Sequence, residues 1–226
     1  DAILSPGMED DAMLRQGYTP QDIIEMAINE GTPTFAPGED WSYSNTGYVL
    51  LGIIIEDVTG QPLEDAYQER IFAPLGMNDT FLWNDVPEDT FDLPNAYHQE
   101  PFDKSMVDWN LSQGWAAGGV ISTAADMNTF IKALLNGELF QNAETLDHMM
   151  DGVPVSTPLF SQYGIGLGEK LPNLWGHGGQ VPGFESDVAY VTDNNVSIVV
   201  WTNAAQDIAI IGSSLVDQAL ISARII

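Results

Sequence analysis

The chain has 226 residues, 44% of them hydrophobic and 10% aromatic, with no cysteine and a formal net charge of −27. This composition fits a globular protein with a sizeable core, in one domain or in two lobes sharing an interface. It excludes disulfides and thiolate chemistry. A surface so acidic repels nucleic acid and anionic membranes, so both are poor partners and no nucleic acid is expected, and no apolar run reaches the length of a membrane span.

The charge is uneven. Residues 1–151 hold 27 of the 33 acidic side chains and the last 75 residues hold only 6, against 6 basic residues in the whole chain. So many carboxylates with so few cations point to a halophilic or marine setting, in which salt relieves self-repulsion. The first residue is Asp1, with neither Met nor a basic and apolar leader, so any targeting segment is expected to lie outside this sequence.

Taken in order, residues 1–17 read as irregular, with Pro6-Gly7 and the acidic cluster Glu9-Asp10-Asp11. Thr19-Pro20-Gln21-Asp22 carries the signals of a helix start, and the helix is expected to run to Glu30 and stop at Gly31. Pro37-Gly38 then leads through Trp41, Tyr43, Ser44 and Asn45 into an apolar run, Tyr48 to Ile55, which Ser44 or Asn45 can cap as a helix ending near Gly60. Pro62 opens another helix with Leu63, Ala66, Tyr67 and Ile71 on one face. Residues 73–115 read as a long loop punctuated by Pro74, Pro87, Pro94 and Pro101 and anchored by Trp83, Phe91, Tyr97, Phe102 and Trp109. Thr123 starts a helix to about Asn136, closed by Gly137, and a shorter one covers Ala143 to Met150.

From Gln162 the period changes to that of strands, read at 162–169, 172–177, 184–192 and 195–202, with turns at Leu171-Pro172, Pro182-Gly183 and Asp193-Asn194-Asn195. Gly164-Ile165-Gly166-Leu167-Gly168 lacks the final spacing of a nucleotide loop and reads as strand. Asp207 is expected to cap a final helix bearing the stripe Ile208, Ile211, Leu215, Ala219 and Leu220. His98 and His148 show no ligand spacing, and the acidic clusters do not fit an EF-hand loop, so neither a metal nor a cofactor is expected.

A phenol and a carboxamide two residues apart, held at a rigid helix entrance, can move a proton and orient an amide. Taken alone, Tyr43 reads as packing and Asn45 as only a cap. Three stretches in sequence alter that balance. Tyr43-Ser44-Asn45 with its flanks resembles the Tyr-x-Asn region of serine hydrolases related to class C β-lactamases, D-Ala-D-Ala carboxypeptidases and esterases. Ala116-Ala117-Gly118-Gly119-Val120-Ile121-Ser122-Thr123 resembles the next landmark of that family, and Trp175-Gly176-His177-Gly178-Gly179-Gln180 is similar to its Lys/His-x-Gly motif. The resemblance runs from about Leu14 to the C-terminus.

The resemblance implies an α/β (α+β) fold of the β-lactamase/transpeptidase type, an antiparallel sheet flanked by helices, with the N-terminal part of the fold missing. Residues 1–155 are expected as a mainly helical lobe and residues 156–226 as the last strands and helix of the sheet domain. It implies an acyl-enzyme mechanism on an ester or amide: a β-lactam, a D-amino-acid peptide or a carboxylic ester. Tyr43 and His177 would be catalytic and serve one cleft; Asn45, Gly179 and Gln180 would bind substrate, Gln180 through its backbone N–H. A periplasmic or secreted location follows from the same resemblance.

The family nucleophile is the serine of a Ser-x-x-Lys, and here Pro101, Thr129 and Leu167 stand three residues before Lys104, Lys132 and Lys170. Thr129-Phe130-Ile131-Lys132 falls inside an expected helix and reads as coincidence. An upstream segment or a second chain is therefore expected to complete the fold. The alternative is a truncated homologue that keeps the cleft as a non-catalytic binding module. The departure at His177-Gly178, a titratable ring and no hydroxyl, weighs against β-lactam and D-Ala-D-Ala substrates and toward esters or other amides.

The charge yields the first prediction. Molar salt should raise the thermal midpoint of this chain, because screening weakens repulsion among its 33 carboxylates. Equal midpoints with and without salt would mean that the acids are merely solvated surface.

Overall fold

The computed structural model describes residues 16–83, 94–98, 110–181, 183–205 and 220. The final helix expected from Asp207, apart from Leu220, lies outside the described residues, as do Glu9-Asp10-Asp11 and the loop anchors Phe91, Phe102 and Trp109. The chain groups into two compact units. The first is Asp1–Pro74, Asn78–Pro94 and Met106–Ser122; the second is Leu75–Met77, Asn95–Ser105 and Thr123–Ile226.

The first unit is built from capped helices. Helix α1 (Pro20–Glu30) starts on a reciprocal capping box: Thr19 Oγ1 accepts from the Asp22 N–H at 3.2 Å, and the Asp22 carboxylate accepts from the Thr19 N–H at 2.8 Å. Helix α2 (Asn45–Thr59) is capped by Ser44, whose Oγ accepts from the Gly47 N–H at 3.2 Å, and it ends at Gly60 in the left-handed region, φ 67°. Helix α3 (Leu63–Tyr67) follows Pro62, with Glu56 Oε1 accepting from the Leu63 N–H at 3.0 Å. The chain then makes a π turn, Gln68–Phe72, before the short α4 (Ala73–Leu75). A π turn adds a residue to the repeat, so Phe72 takes the fully buried place that the 3.6-residue pattern assigned to Ile71.

Strands β1 (Phe81–Leu82), β2 (Tyr97–His98) and β3 (Val120–Ile121) are short, and β1 pairs antiparallel with β3. The core of the first unit is Ile23, Val49, Leu63, Leu82 and Trp115. Trp115 holds a left-handed backbone, φ 30°, that a bulky residue adopts only under strain, and its ring lies against Gly52 of α2. Helix α2 is apolar on nearly every side, yet only Val49 and Gly52 are buried. Leu50, Leu51, Ile54 and Val58 form a stripe that is 46, 50, 55 and 78% exposed.

In the second unit, helix α5 (Ala124–Leu135) is capped by Thr123, which accepts from the Asp126 N–H at 3.2 Å, and helix α6 covers Glu144–Met150. Six strands follow: β4 (Val153–Pro154), β5 (Gln162–Tyr163), β6 (Gly168–Leu171), β7 (Leu174–Val181), β8 (Phe184–Val191) and β9 (Val196–Thr202). They form one sheet in sequence order, every pair antiparallel. Strand β10 (Ala204–Ala205) pairs in parallel with β2. One face of the sheet packs Trp175, Val188 and Tyr190 against Ile131, Leu134 and Leu135 of α5. The alternate residues Leu174, Ala189 and Val191 pack with Leu220. With both faces covered, β8 is buried continuously from Glu185 except at Ser186, and its second half, Val188 to Val191, is wholly hydrophobic.

One expected strand is corrected. Residues 162–169 are not continuous: Gly164 to Leu167 form a turn between β5 and β6, closed by Gly164 N–H donating to Leu167 O at 2.8 Å. The Ile165 N–H is drawn instead to Met149 O at 2.9 Å, outside any ladder. Similarly, the strand expected at 172–177 is shifted to 174–181, because Pro172 and Asn173 turn the chain with Asn173 at φ 66°.

The packing at Gly52 can be tested. A Cβ there would lie 2.6 Å from Ala116 Cβ and 2.7 Å from the Trp115 ring. Gly52→Ala gains about 1 kcal/mol of helix propensity but overpacks a buried contact at a cost of about 1–3 kcal/mol. Clash should win, because Trp115 is itself buried and strained and has little room to give. Urea unfolding of this chain should show net destabilisation; a stabilised Gly52→Ala would show that Trp115 gives way easily.

Candidate functional site

Each unit carries one part of the constellation marked in the sequence. In the first, the cap of α2 is Ser44, so Asn45 is the first helical residue and its carboxamide is not needed for capping. The Tyr43 ring lies 5.6 Å from the Tyr48 ring, tilted by 41°. Desolvation, and secondarily the charge that Tyr48 can carry, push the Tyr43 phenol up to about 12. At neutral pH it is therefore fully protonated, a donor of a proton and not an acceptor. Work as a base requires a cation beside it.

In the second unit, His177, Gly179 and Gln180 follow one another along β7, and the register pairs them with Val188, Ser186 and Glu185 of β8. The registered partners of β6 end at Gly176, so His177 to Val181 run beyond that ladder. Among the described residues, a side chain at Gly178 would meet only the Ser186 carbonyl within 4 Å, at 3.5 Å. Gly179 differs: Ser186 Oγ lies 2.6 Å from where its Cβ would be, so a hydroxyl fills the side-chain space. The Gln180 side chain donates to Glu185 Oε1 at 3.2 Å.

His177 has polar partners at both ring nitrogens. Nδ1 lies 2.5 Å from the Gly178 carbonyl and Nε2 lies 2.8 Å from the Tyr163 hydroxyl. A carbonyl only accepts, so Nδ1 carries the hydrogen, and Tyr163 O–H donates to the Nε2 lone pair of the neutral ring. Phe160 completes the surroundings, 5.6 Å from the His177 ring and 5.5 Å from the Tyr163 ring. Lys170 lies 5.7 Å from the Phe160 ring centroid and is ion-paired with Asp187, both side chains being almost fully buried. Burial holds His177 below its ordinary value; the Gly178 carbonyl opposes this, Lys170 adds to it and Asp187 offsets Lys170.

Sequence reasoning singled out His177 but not Tyr163, Phe160 or Asp187, and it weighed Lys170 only as half of a Ser-x-x-Lys. No periodic signal joins these residues; sheet register does. Thr129 lies within α5 and its hydroxyl donates to the Ala125 carbonyl at 3.2 Å, as a helix-interior threonine does. Among the described residues no helix is long and apolar enough to cross a membrane.

The antiparallel sheet backed by helices, with its three landmarks, defines a β-lactamase/transpeptidase-like fold. The family model described as Beta-lactamase matches residues 3–216, and the chain belongs to that family. It is 29% identical over 209 residues to penicillin-binding protein 4* of Bacillus subtilis (strain 168), covering 83% of this chain and 45% of that protein. It is 28% identical to a D-aminopeptidase of Cereibacter sphaeroides, covering 91% of this chain and 40% of the relative. The chain thus spans less than half the length of these curated relatives. Among solved structures, D-amino acid amidase from Ochrobactrum anthropi SV3 aligns with a TM-score of 0.83 and 28% identity, over 99% of this chain and 70% of that one. A D-stereospecific amidohydrolase from Streptomyces aligns with a TM-score of 0.74 and 33% identity, over 84% and 58%.

The burial of His177 fixes the sign of a pH effect. Its folded value lies below the ordinary 6.5, so as pH falls through 6.5 the unfolded chain takes up a proton that the folded chain refuses. Stability should therefore fall as pH drops below 6.5 and level off once the folded value is passed. Urea midpoints measured between about pH 7.5 and 5 should fall less steeply for His177→Gln than for the unaltered chain. A steeper fall in the variant would mean that the folded ring is readily protonated.

Proposed function

We propose that this chain is the part of a serine hydrolase that supplies Tyr43, Asn45 and the His177 strand, acting through an acyl-enzyme on an amide or ester that lacks a free carboxylate. The nucleophile is assigned to a Ser-x-x-Lys segment outside this sequence. Its Oγ would attack the substrate carbonyl, the C–N or C–O bond would break, and water would then release the acyl group. Tyr43, protonated at neutral pH, suits proton donation to the leaving group, and the lysine of that segment would lower the phenol far enough for it to act as a base. Asn45 would orient the amide of the acyl portion, and the Gln180 N–H, beside Gly179, would help hold the oxyanion.

The observation that carries the substrate class is the state of the third motif. His177 is neutral, and the cation near it, Lys170, is bound to Asp187. A neutral ring, a glycine with no hydroxyl at 178 and a net charge of −27 offer little to an anionic substrate. Relatives named D-aminopeptidase and D-amino acid amidase support a D-amino-acid amide, whose α-ammonium suits an acidic protein.

A second reading, a non-catalytic homologue that keeps the fold, is favoured by the lack of serine three residues before any of the lysines. The residues encoded immediately before Asp1 separate the two. With a Ser-x-x-Lys there, the completed protein should hydrolyse D-phenylalanine amide with kcat/KM about 100-fold above that for a cephalosporin. Tyr43→Phe should then lower kcat by about 100-fold or more, while Asn45→Ala should raise KM. The 226-residue chain alone should resist fluorophosphonate labelling. Labelling of the isolated chain, or a preference for the cephalosporin, would overturn the assignment.

A further inference from the structure

We propose that Tyr163 is a positioning residue for His177, holding the imidazole through its phenol O–H as a neutral ring protonated on Nδ1. The inference rests on the reading above, in which His177 is a site residue, and adds a residue that the motifs do not contain.

The geometry leaves one consistent arrangement. The Gly178 carbonyl, 2.5 Å from Nδ1, can only accept, so the ring hydrogen sits on Nδ1. In the neutral ring Nε2 is then an acceptor, and the hydroxyl 2.8 Å away must donate to it. The sheet delivers that hydroxyl. Tyr163 of β5 is registered with Gly168 of β6, and Gly168 with Gly176, the residue before His177. Phe160 fills the side-chain space of Gly168, coming within 2.3 Å of where its Cβ would be. The three rings Phe160, Tyr163 and His177 close a triangle with sides of 5.5, 5.6 and 5.7 Å. Tyr163 is only 4% exposed, so bulk water does not compete for this hydrogen bond. The charges nearby, Lys170 and Asp187, are held as a pair, so Lys170 is not an isolated cation.

The consequence concerns how His177 can act. With both nitrogens engaged, the ring meets a ligand as a fixed wall. It can take a proton on Nε2 only if the Tyr163 hydroxyl rotates to accept, so Tyr163 controls access to the charged form.

The test is the imidazole 15N spectrum of the histidine-labelled 226-residue chain, with His177 assigned among the three histidines by its loss in His177→Gln. The unaltered chain should show His177 as the Nδ1–H tautomer, with Nε2 shifted as a hydrogen-bond acceptor. In Tyr163→Phe the Nε2 resonance should move downfield as that bond is lost. An Nε2–H tautomer in the unaltered chain, or an Nε2 shift unchanged in Tyr163→Phe, would overturn the proposal. Should Tyr163→Phe fail to fold, 3-fluorotyrosine incorporated at the seven tyrosines keeps it testable. A more acidic phenol donates more strongly and should move Nε2 upfield, and no movement would count against the role. Turnover separates this from the functional reading: unchanged activity of His177→Ala in the completed protein would sink the latter, whatever the spectrum shows.

Discussion

Polar groups withdrawn from water must find partners, and in the second unit that constraint shapes everything around β7. A half-buried imidazole and a buried lysine–aspartate pair lie within a few residues of one another in a sheet lined mainly by apolar side chains. Leaving one member of a buried ion pair without the other costs about 3–5 kcal/mol, more than most single side chains contribute. The strands are therefore held in one register: Lys170 on β6 and Asp187 on β8 flank β7 on either side. His177 reaches back to Tyr163 on β5. Four consecutive strands are tied by side-chain bonds as well as by their ladders. The segment Gly178 to Gln180 of β7, paired with Asp187 to Glu185 of β8, inherits that rigidity.

The first unit meets a different demand. Its helices begin on side-chain caps, and the division of labour at the entrance of α2 is informative. Ser44 satisfies the backbone, which releases its neighbour Asn45 from that duty, while Tyr43 sits just outside the helix against Tyr48. Its surroundings raise the phenol further above an ordinary value at which it is already protonated at neutral pH. A protein that used Tyr43 as a base would need to bring positive charge to it, and a chain with 6 basic residues among 226 has little to lend. The chemistry of the phenol is thus set by what is placed near it more than by the phenol itself.

Much of this was legible in the sequence, and the limits were physical. Helix boundaries were legible because capping residues act within one turn: Thr19 and Thr123 cap where their spacing to Asp22 and Asp126 says they should, while the choice between Ser44 and Asn45 needed the structure, which has Ser44. The sheet was legible as a class because β-branched and aromatic runs with turn residues between them have few other uses. Its details were not. Gly164 to Leu167 looked like strand by composition, but the segment turns, with the Ile165 N–H bonded to the carbonyl of Met149, sixteen residues back. The π turn at Gln68–Phe72 left no mark in the hydrophobic period. Motifs pointed to His177, whereas its partner Tyr163 comes from another strand, and only pairing register, which a single sequence does not encode locally, joins the two.

The exposed stripe on α2 changes the meaning of the acidic surface. Leu50, Leu51, Ile54 and Val58 make a sticky ridge on a molecule whose net charge is −27. At low ionic strength two such molecules repel each other before their ridges can touch, so the carboxylates act as a colloidal barrier. Salt that screens this barrier lets neighbours approach, so any gain it brings within each molecule would come with a loss of solubility, and the two would have to be balanced by the choice of ionic strength.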